Sequence, residues 1–296
     1  MSRAKMQNVR RREWSEIRDS WLEYIPSFPG IAARPDPGLE HLQPLLDIGT
    51  PEGRFPDVPG LRSQTLWEAV FLFHKCAHTN LAAQRLGLQG MHSWCLFNAY
   101  HSAYLGARGT MALLGVALPE LKGRQVAVEL FPEPLKKKKK SGLAPPSREF
   151  MIIQLGKLEQ RDLWEAFQRV IRMSNATCWE PDLRQGLLDV AHEKISPPRN
   201  RFLYRASYWP LGDLAVDVKP PDMTGLFGEE LDTEDAGFLL RLSFSVYRLF
   251  EQLMSDLASY SGSVKEQLNA SRFLTDSESP ELSCYKDFLV RVSSTA

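Results

Sequence analysis

The run Asn98-Ala99-Tyr100-His101-Ser102-Ala103-Tyr104-Leu105-Gly106-Ala107-Arg108-Gly109 decides how the rest of the chain must pack. Ala99, Ser102, Ala103, Gly106 and Ala107 recur every three or four residues, which lines one face of a helix with small side chains. A glycine in a helix interior costs about 1 kcal/mol relative to alanine, so Gly106 and Gly109 need compensation. Close approach of a second helix supplies it. The helix is predicted over residues 91–116.

Working outward, Leu66, Ala69, Val70, Phe73, Ala77, Leu81 and Leu86 mark an apolar face on a preceding helix, and Gly87 and Gly90 break it. Downstream, residues 159–173 are amphipathic and residues 181–195 carry Leu183, Leu187, Leu188 and Ala191 on one side. Phe238, Leu239, Leu242, Val246, Leu249, Phe250, Leu253 and Leu257 give a long helical period over residues 234–260. Two β-like runs, residues 125–131 and 149–155, interrupt this helical series. Val126, Val128 and Leu130 alternate with Ala127 and Glu129, as in a half-buried strand. The predicted fold is therefore mainly α: an up-and-down helical bundle with an inserted β-hairpin and an irregular N-terminal arm.

That arm, residues 1–62, opens with a helical period over residues 11–24 through Trp14, Ile17, Trp21 and Leu22. Eight prolines between Pro26 and Pro59 then exclude long regular structure. Burying Trp14, Trp21 and Tyr24 requires the arm to wrap over a core. The remaining divisions are residues 63–121 for the first helix pair, 122–156 for the basic hairpin, 157–262 for the later helices with an acidic loop at 211–236, and 263–296 for a polar tail.

The formal net charge of zero hides a strong segregation. Residues 122–148 hold eight Lys or Arg against two Glu, whereas residues 212–236 hold eight Asp or Glu against Lys219. Lys136, Lys137, Lys138, Lys139 and Lys140 stand at the hairpin tip. Such a run suits capture of nucleic-acid phosphate, solvation as a loop tip, or docking on the acidic loop. Four scattered cysteines without a CxxC pair argue against a zinc ribbon or a disulfide framework. No apolar run approaches the roughly 20 residues of a membrane span, and no apolar segment follows the basic N-terminus as in a secretory signal. The expectation is a cytoplasmic protein with no membrane partner.

Ser196-Pro197-Pro198 ends one predicted helix and opens the next, which places Arg199 at a helix start. The segment Arg199-Asn200-Arg201-Phe202-Leu203-Tyr204 follows. A guanidinium pairs with phosphate through a planar fork of donors, and a neighbouring histidine would shuttle protons at neutral pH. Here that histidine is replaced by Tyr204, which titrates near about pH 10. Arg199 and Tyr204 lie about 140° apart on an ideal helix, so a shared site requires a distorted first turn or a partner subunit.

Together, the Ala- and Tyr-rich helix of residues 98–108 and the later Arg199-Asn200…Leu203-Tyr204 segment resemble the HEPN superfamily (higher eukaryotes and prokaryotes nucleotide-binding domains). This chain departs from the pattern at the motif histidine. The resemblance covers residues 66–116 and 183–260, and it implies RNA binding or metal-free RNA cleavage. It commonly implies a homodimer or a partner protein, in toxin–antitoxin or phage-defence settings. Carried over residue by residue, Arg199 is the phosphate clamp, Asn200 its polar support and Tyr204 a hydrogen bonder. Arg201 and Arg205, with Lys136 to Lys140, would contact nucleic acid. Three readings stay open: an RNA-binding protein with an altered site; an active ribonuclease in which His101 or His192 replaces the missing imidazole; and a non-enzymatic interaction or regulatory subunit.

His74 and His78 lie four residues apart with Cys76 between them, and His92, Cys95 and His101 follow on the next helix. That set could present metal ligands, but no HExxH glutamate or other carboxylate accompanies it. Packed or surface histidines are the expected outcome, with no metal and no cofactor. Walker, GxGxxG and GxSxG motifs do not occur.

Overall fold

The computed structural model describes residues 12–25, 53–58, 60–88, 91–121, 124–131, 149–156, 160–195 and 237–269. Strand β1 (Arg12–Glu13) leads into helix α1 (Trp14–Leu22). Trp14, Ile17 and Trp21 face the core, as their helical spacing requires. Each buried indole N–H finds an acceptor: Trp14 Nε1 donates to Asp256 Oδ2 (2.7 Å) and Trp21 Nε1 to the Leu113 carbonyl (2.7 Å). This part of the arm lies over the core.

The central layer consists of α2 (Leu61–Leu88), α3 (His92–Leu113) and α6 (Gly237–Ser259). Helices α2 and α3 run antiparallel: Glu68 meets Arg108 near one end, and Cys76 meets Ser102 further along. The small-residue ridge of α3 sits between the other two helices. A Cβ at Gly106 would lie 2.8 Å from Val246 Cγ1 and 2.9 Å from Cys76 Sγ; one at Gly109 would lie 2.5 Å from Phe250 Cζ and 3.1 Å from Leu72 Cβ. The contacts advance in the same sense along α3 and α6. Phe73, Tyr247 and Phe250 close the space between α2 and α6, with Phe73 edge-on to Phe250 at 5.2 Å.

Beside these helices stands a five-stranded antiparallel sheet in the order β2-β6-β5-β3, with β4 also paired to β5. Its strands are β2 (Gly53–Pro56), β3 (Val116–Ala117), β4 (Glu120–Leu121), β5 (Arg124–Glu129) and β6 (Glu149–Gly156). The expected hairpin of β5 with β6 forms, with Val128 opposite Ile152 and a register shift at Gln125/Val126. Its loop end is tied to the start of α2. Arg62 Nη2 donates to the carbonyls of Leu130 (2.7 Å) and Glu149 (3.0 Å), where the two strands part, and its guanidinium pairs with Asp57.

Helix α4 (Gln160–Met173) buries Leu163, Trp164, Phe167, Val170 and Ile171, and β7 (Ser174–Asn175) pairs in parallel with β1. Helix α5 (Pro181–Asp189) begins with proline in its first turn, where a missing N–H costs nothing. Helix α7 (Gly262–Asn269) follows α6. Among the described residues, no helix is long and apolar enough to cross a membrane.

Four local expectations differ from the structure, each for a tertiary reason. Glu129 does not face solvent; it is 3% exposed and paired with the Arg12 guanidinium, so β5 is covered on both faces. The helix expected over residues 181–195 stops at Asp189, because Gln168 Nε2 donates to the carbonyls of Leu187 (2.8 Å) and Val190 and holds the chain extended at Val190 and Ala191. A short 3-10 turn, His192–Lys194, then buries Ile195. The proline-rich arm contributes β2, with Pro56 at the strand's end on the sheet edge, where a missing donor is tolerated. The polar C-terminal region opens with α7: Ser261 Oγ accepts the Val264 N–H (3.3 Å), and Val264 and Leu268 are buried.

Candidate functional site

The face of α3 opposite to its small-residue ridge carries Trp94, Phe97, Asn98, His101, Tyr104, Leu105 and Arg108, which fall on one side of the helical period. A helix sandwiched on its small side presents its large side outward. Trp94 is 53% exposed and Met91, at the helix start, 49%. With Tyr260, they are the exposed large hydrophobic side chains among the described residues.

The rings form a continuous row. Trp94 lies edge-on to Phe97 at 5.8 Å, and Phe97 packs on the His101 imidazole at 4.1 Å. Asn98 Nδ2 donates to the Trp94 carbonyl (2.8 Å), closing the first turn. On the neighbouring helix α2, Trp67 stacks on Phe71 at 4.9 Å, and the Lys75 ammonium lies 4.7 Å from the Phe71 ring centre.

Carboxylates are scarce on these two helices. Helix α3 contains no Asp or Glu, and the single carboxylate of α2, Glu68, is held by Arg108 at 3.1 Å. Burial pushes the Glu68 carboxyl above its ordinary range, although Arg108 opposes the shift. Lys75, His78 and Arg85 are exposed on α2. An aromatic row on a helix that carries no carboxylate suits a ligand that is anionic and carries flat rings.

His101 is half-buried in this row, and its Nδ1 lies 3.0 Å from the Phe97 carbonyl oxygen. A carbonyl oxygen only accepts, so in the neutral imidazole Nδ1 carries the proton and Nε2 carries the lone pair. No described residue hydrogen-bonds Nε2. Tyr100, by contrast, points inward, where its hydroxyl donates to Gln160 Oε1 (2.8 Å) and accepts from Trp164 Nε1 (3.4 Å).

The other histidines and cysteines point in different directions. His74 is buried beside Phe73 and hydrogen-bonded to the Gln267 backbone of α7; burial lowers its pKa to about 4. Cys76 is buried against Ser102, and its thiol is pushed up to about 12 by burial. His78 faces outward. Among the described residues, no group of three or more His, Cys, Asp or Glu side chains is placed to hold a metal ion. His192 Nε2 lies 3.9 Å from Glu165 Oε2.

Of the residues singled out from the sequence, Arg199, Asn200, Arg201, Tyr204, Arg205 and Lys136 to Lys140 lie outside the described residues, as does the His92 side chain. His101 lies within them. The α3 row as a whole was missed by reasoning that followed the small residues. Its signal was present in the spacing of Trp94, Phe97, His101 and Tyr104.

The fold and the row define a mainly helical protein with a small antiparallel sheet and an outward aromatic helix face. In comparison with known proteins, the chain matches no family model, no curated protein and no solved structure.

Proposed function

We propose that this is a HEPN-like RNA-binding protein that holds single-stranded RNA along the outward face of α3, without relying on cleavage. The observation that carries the proposal is the ring row Trp94, Phe97, His101 on a helix devoid of carboxylates. Successive bases stack on such rings irrespective of sequence, and no carboxylate of α3 repels the backbone. The sandwich of α3 between α2 and α6 supports the bundle arrangement that the family resemblance implies. Under this reading Arg199 and the lysine run add phosphate contacts, and Tyr204 in place of histidine explains a site that binds more readily than it cleaves.

One titration with labelled single-stranded RNA in EDTA tests binding and cleavage together. A base stack is worth about 1–3 kcal/mol, so Trp94→Ala is expected to weaken binding by about 5-fold to 150-fold. Because Trp94 is largely exposed, the fold is retained. Unchanged affinity in Trp94→Ala would remove the α3 face from the proposal. RNA cleavage by the wild type that disappears in Arg199→Ala would replace binding with the nuclease reading.

A further inference from the structure

We infer that His101 makes this face select RNA over DNA by accepting a hydrogen bond from the ribose 2′-hydroxyl; the inference rests on the RNA-binding reading above. The Phe97 carbonyl, 3.0 Å from Nδ1, assigns the ring proton to that nitrogen. Nε2 is thereby left as an acceptor, and no described residue supplies it with a donor. The stacking contact with Phe97 at 4.1 Å keeps the imidazole from turning freely, so the acceptor stays in the row on which bases would lie.

Most polar groups on the face are already engaged or have the opposite character. Asn98 Nδ2 donates to the Trp94 carbonyl, and Arg108 is bound to Glu68 and to the Leu118 carbonyl. Phosphate oxygens and bridging sugar oxygens only accept, and cannot satisfy a second acceptor. The 2′-hydroxyl is the one backbone donor of a nucleic acid, and deoxyribose lacks it.

The test compares three oligonucleotides of one length: oligo(U), its 2′-O-methyl form and oligo(dU). All carry uracil, so a base N–H reaching His101 would favour none of them. The methylated form retains an RNA-like sugar but has no donor. The wild type is expected to bind oligo(U) about fivefold more tightly than either other strand, the worth of one neutral hydrogen bond. His101→Phe keeps a stacking ring without the acceptor, and should lower oligo(U) affinity to that of the other two. His101→Gln keeps an acceptor and should retain part of the preference. Trp94→Ala should weaken all three in proportion. Equal wild-type affinity for oligo(U) and its 2′-O-methyl form overturns the inference, as does an unchanged preference in a folded His101→Phe. Equal binding of all three leaves the RNA-binding reading standing without the inference. No binding to any of them ends both.

Discussion

Replacing Gly109 by alanine inserts a methyl group where α2, α3 and α6 meet. Its position is 2.5 Å from Phe250 Cζ and 3.1 Å from Leu72 Cβ, whereas carbon atoms pack comfortably at about 3.5–4.0 Å. Relief therefore requires a movement of about 1 Å. Phe250 cannot swing aside freely, because it is fully buried and edge-on to Phe73. Leu72 closes the opposite side. Overpacking a tight core costs about 1–3 kcal/mol, and closure on both sides places this site near the upper end. Alanine recovers about 1 kcal/mol of helix propensity, which leaves a net loss of about 2 kcal/mol. Gly186 in α5 provides the opposite case, since a Cβ there meets nothing within 4 Å. Gly186→Ala should stabilise by about 0.5–1 kcal/mol. Urea denaturation followed by circular dichroism should move the midpoint down for Gly109→Ala and up for Gly186→Ala at unchanged slope. A Gly109→Ala midpoint at or above that of the wild type would refute the packing of the three helices described here.

Two further outcomes follow from buried charge. Burial lowers the His74 pKa from 6.5 to about 4 in the folded protein, so between these values the unfolded chain binds more protons and stability rises with pH. Its contribution, about 3 kcal/mol, is complete above pH 6.5 and lost as pH falls toward 4. His74→Gln should flatten that part of the urea-midpoint profile between pH 7.5 and 4; an unchanged slope would mean that His74 is protonated in the fold. Arg12→Met leaves the Glu129 carboxylate buried without its guanidinium, and breaking such a pair costs about 3–5 kcal/mol. A loss below about 1 kcal/mol in thermal or urea unfolding would show that Glu129 is solvated.

Much of the helical order was legible because amphipathic periodicity is a local property. The ridge of Ala99, Ser102, Ala103, Gly106 and Ala107 announced a tightly packed helix, and that helix lies between two others. The strand pair β5 and β6 was legible from alternation. The placement of Glu129 was not. An acidic residue in an alternating strand reads as solvent-facing until a distant Arg12 covers it, 117 residues earlier in the chain. Likewise, Gln168 ends α5 through carbonyls that no local pattern connects with it.

The same division holds for the candidate site. Spacing alone put Trp94, Phe97, His101 and Tyr104 on one side of a helix, because 3.6 residues complete a turn whatever surrounds it. Which side faces outward was a tertiary decision, made when α2 and α6 closed on the glycines and left the large side chains no room inward. The tautomer of His101, by contrast, is set within the helix by the Phe97 carbonyl one turn earlier, and the tertiary packing decides only that the remaining acceptor lies on the outward side.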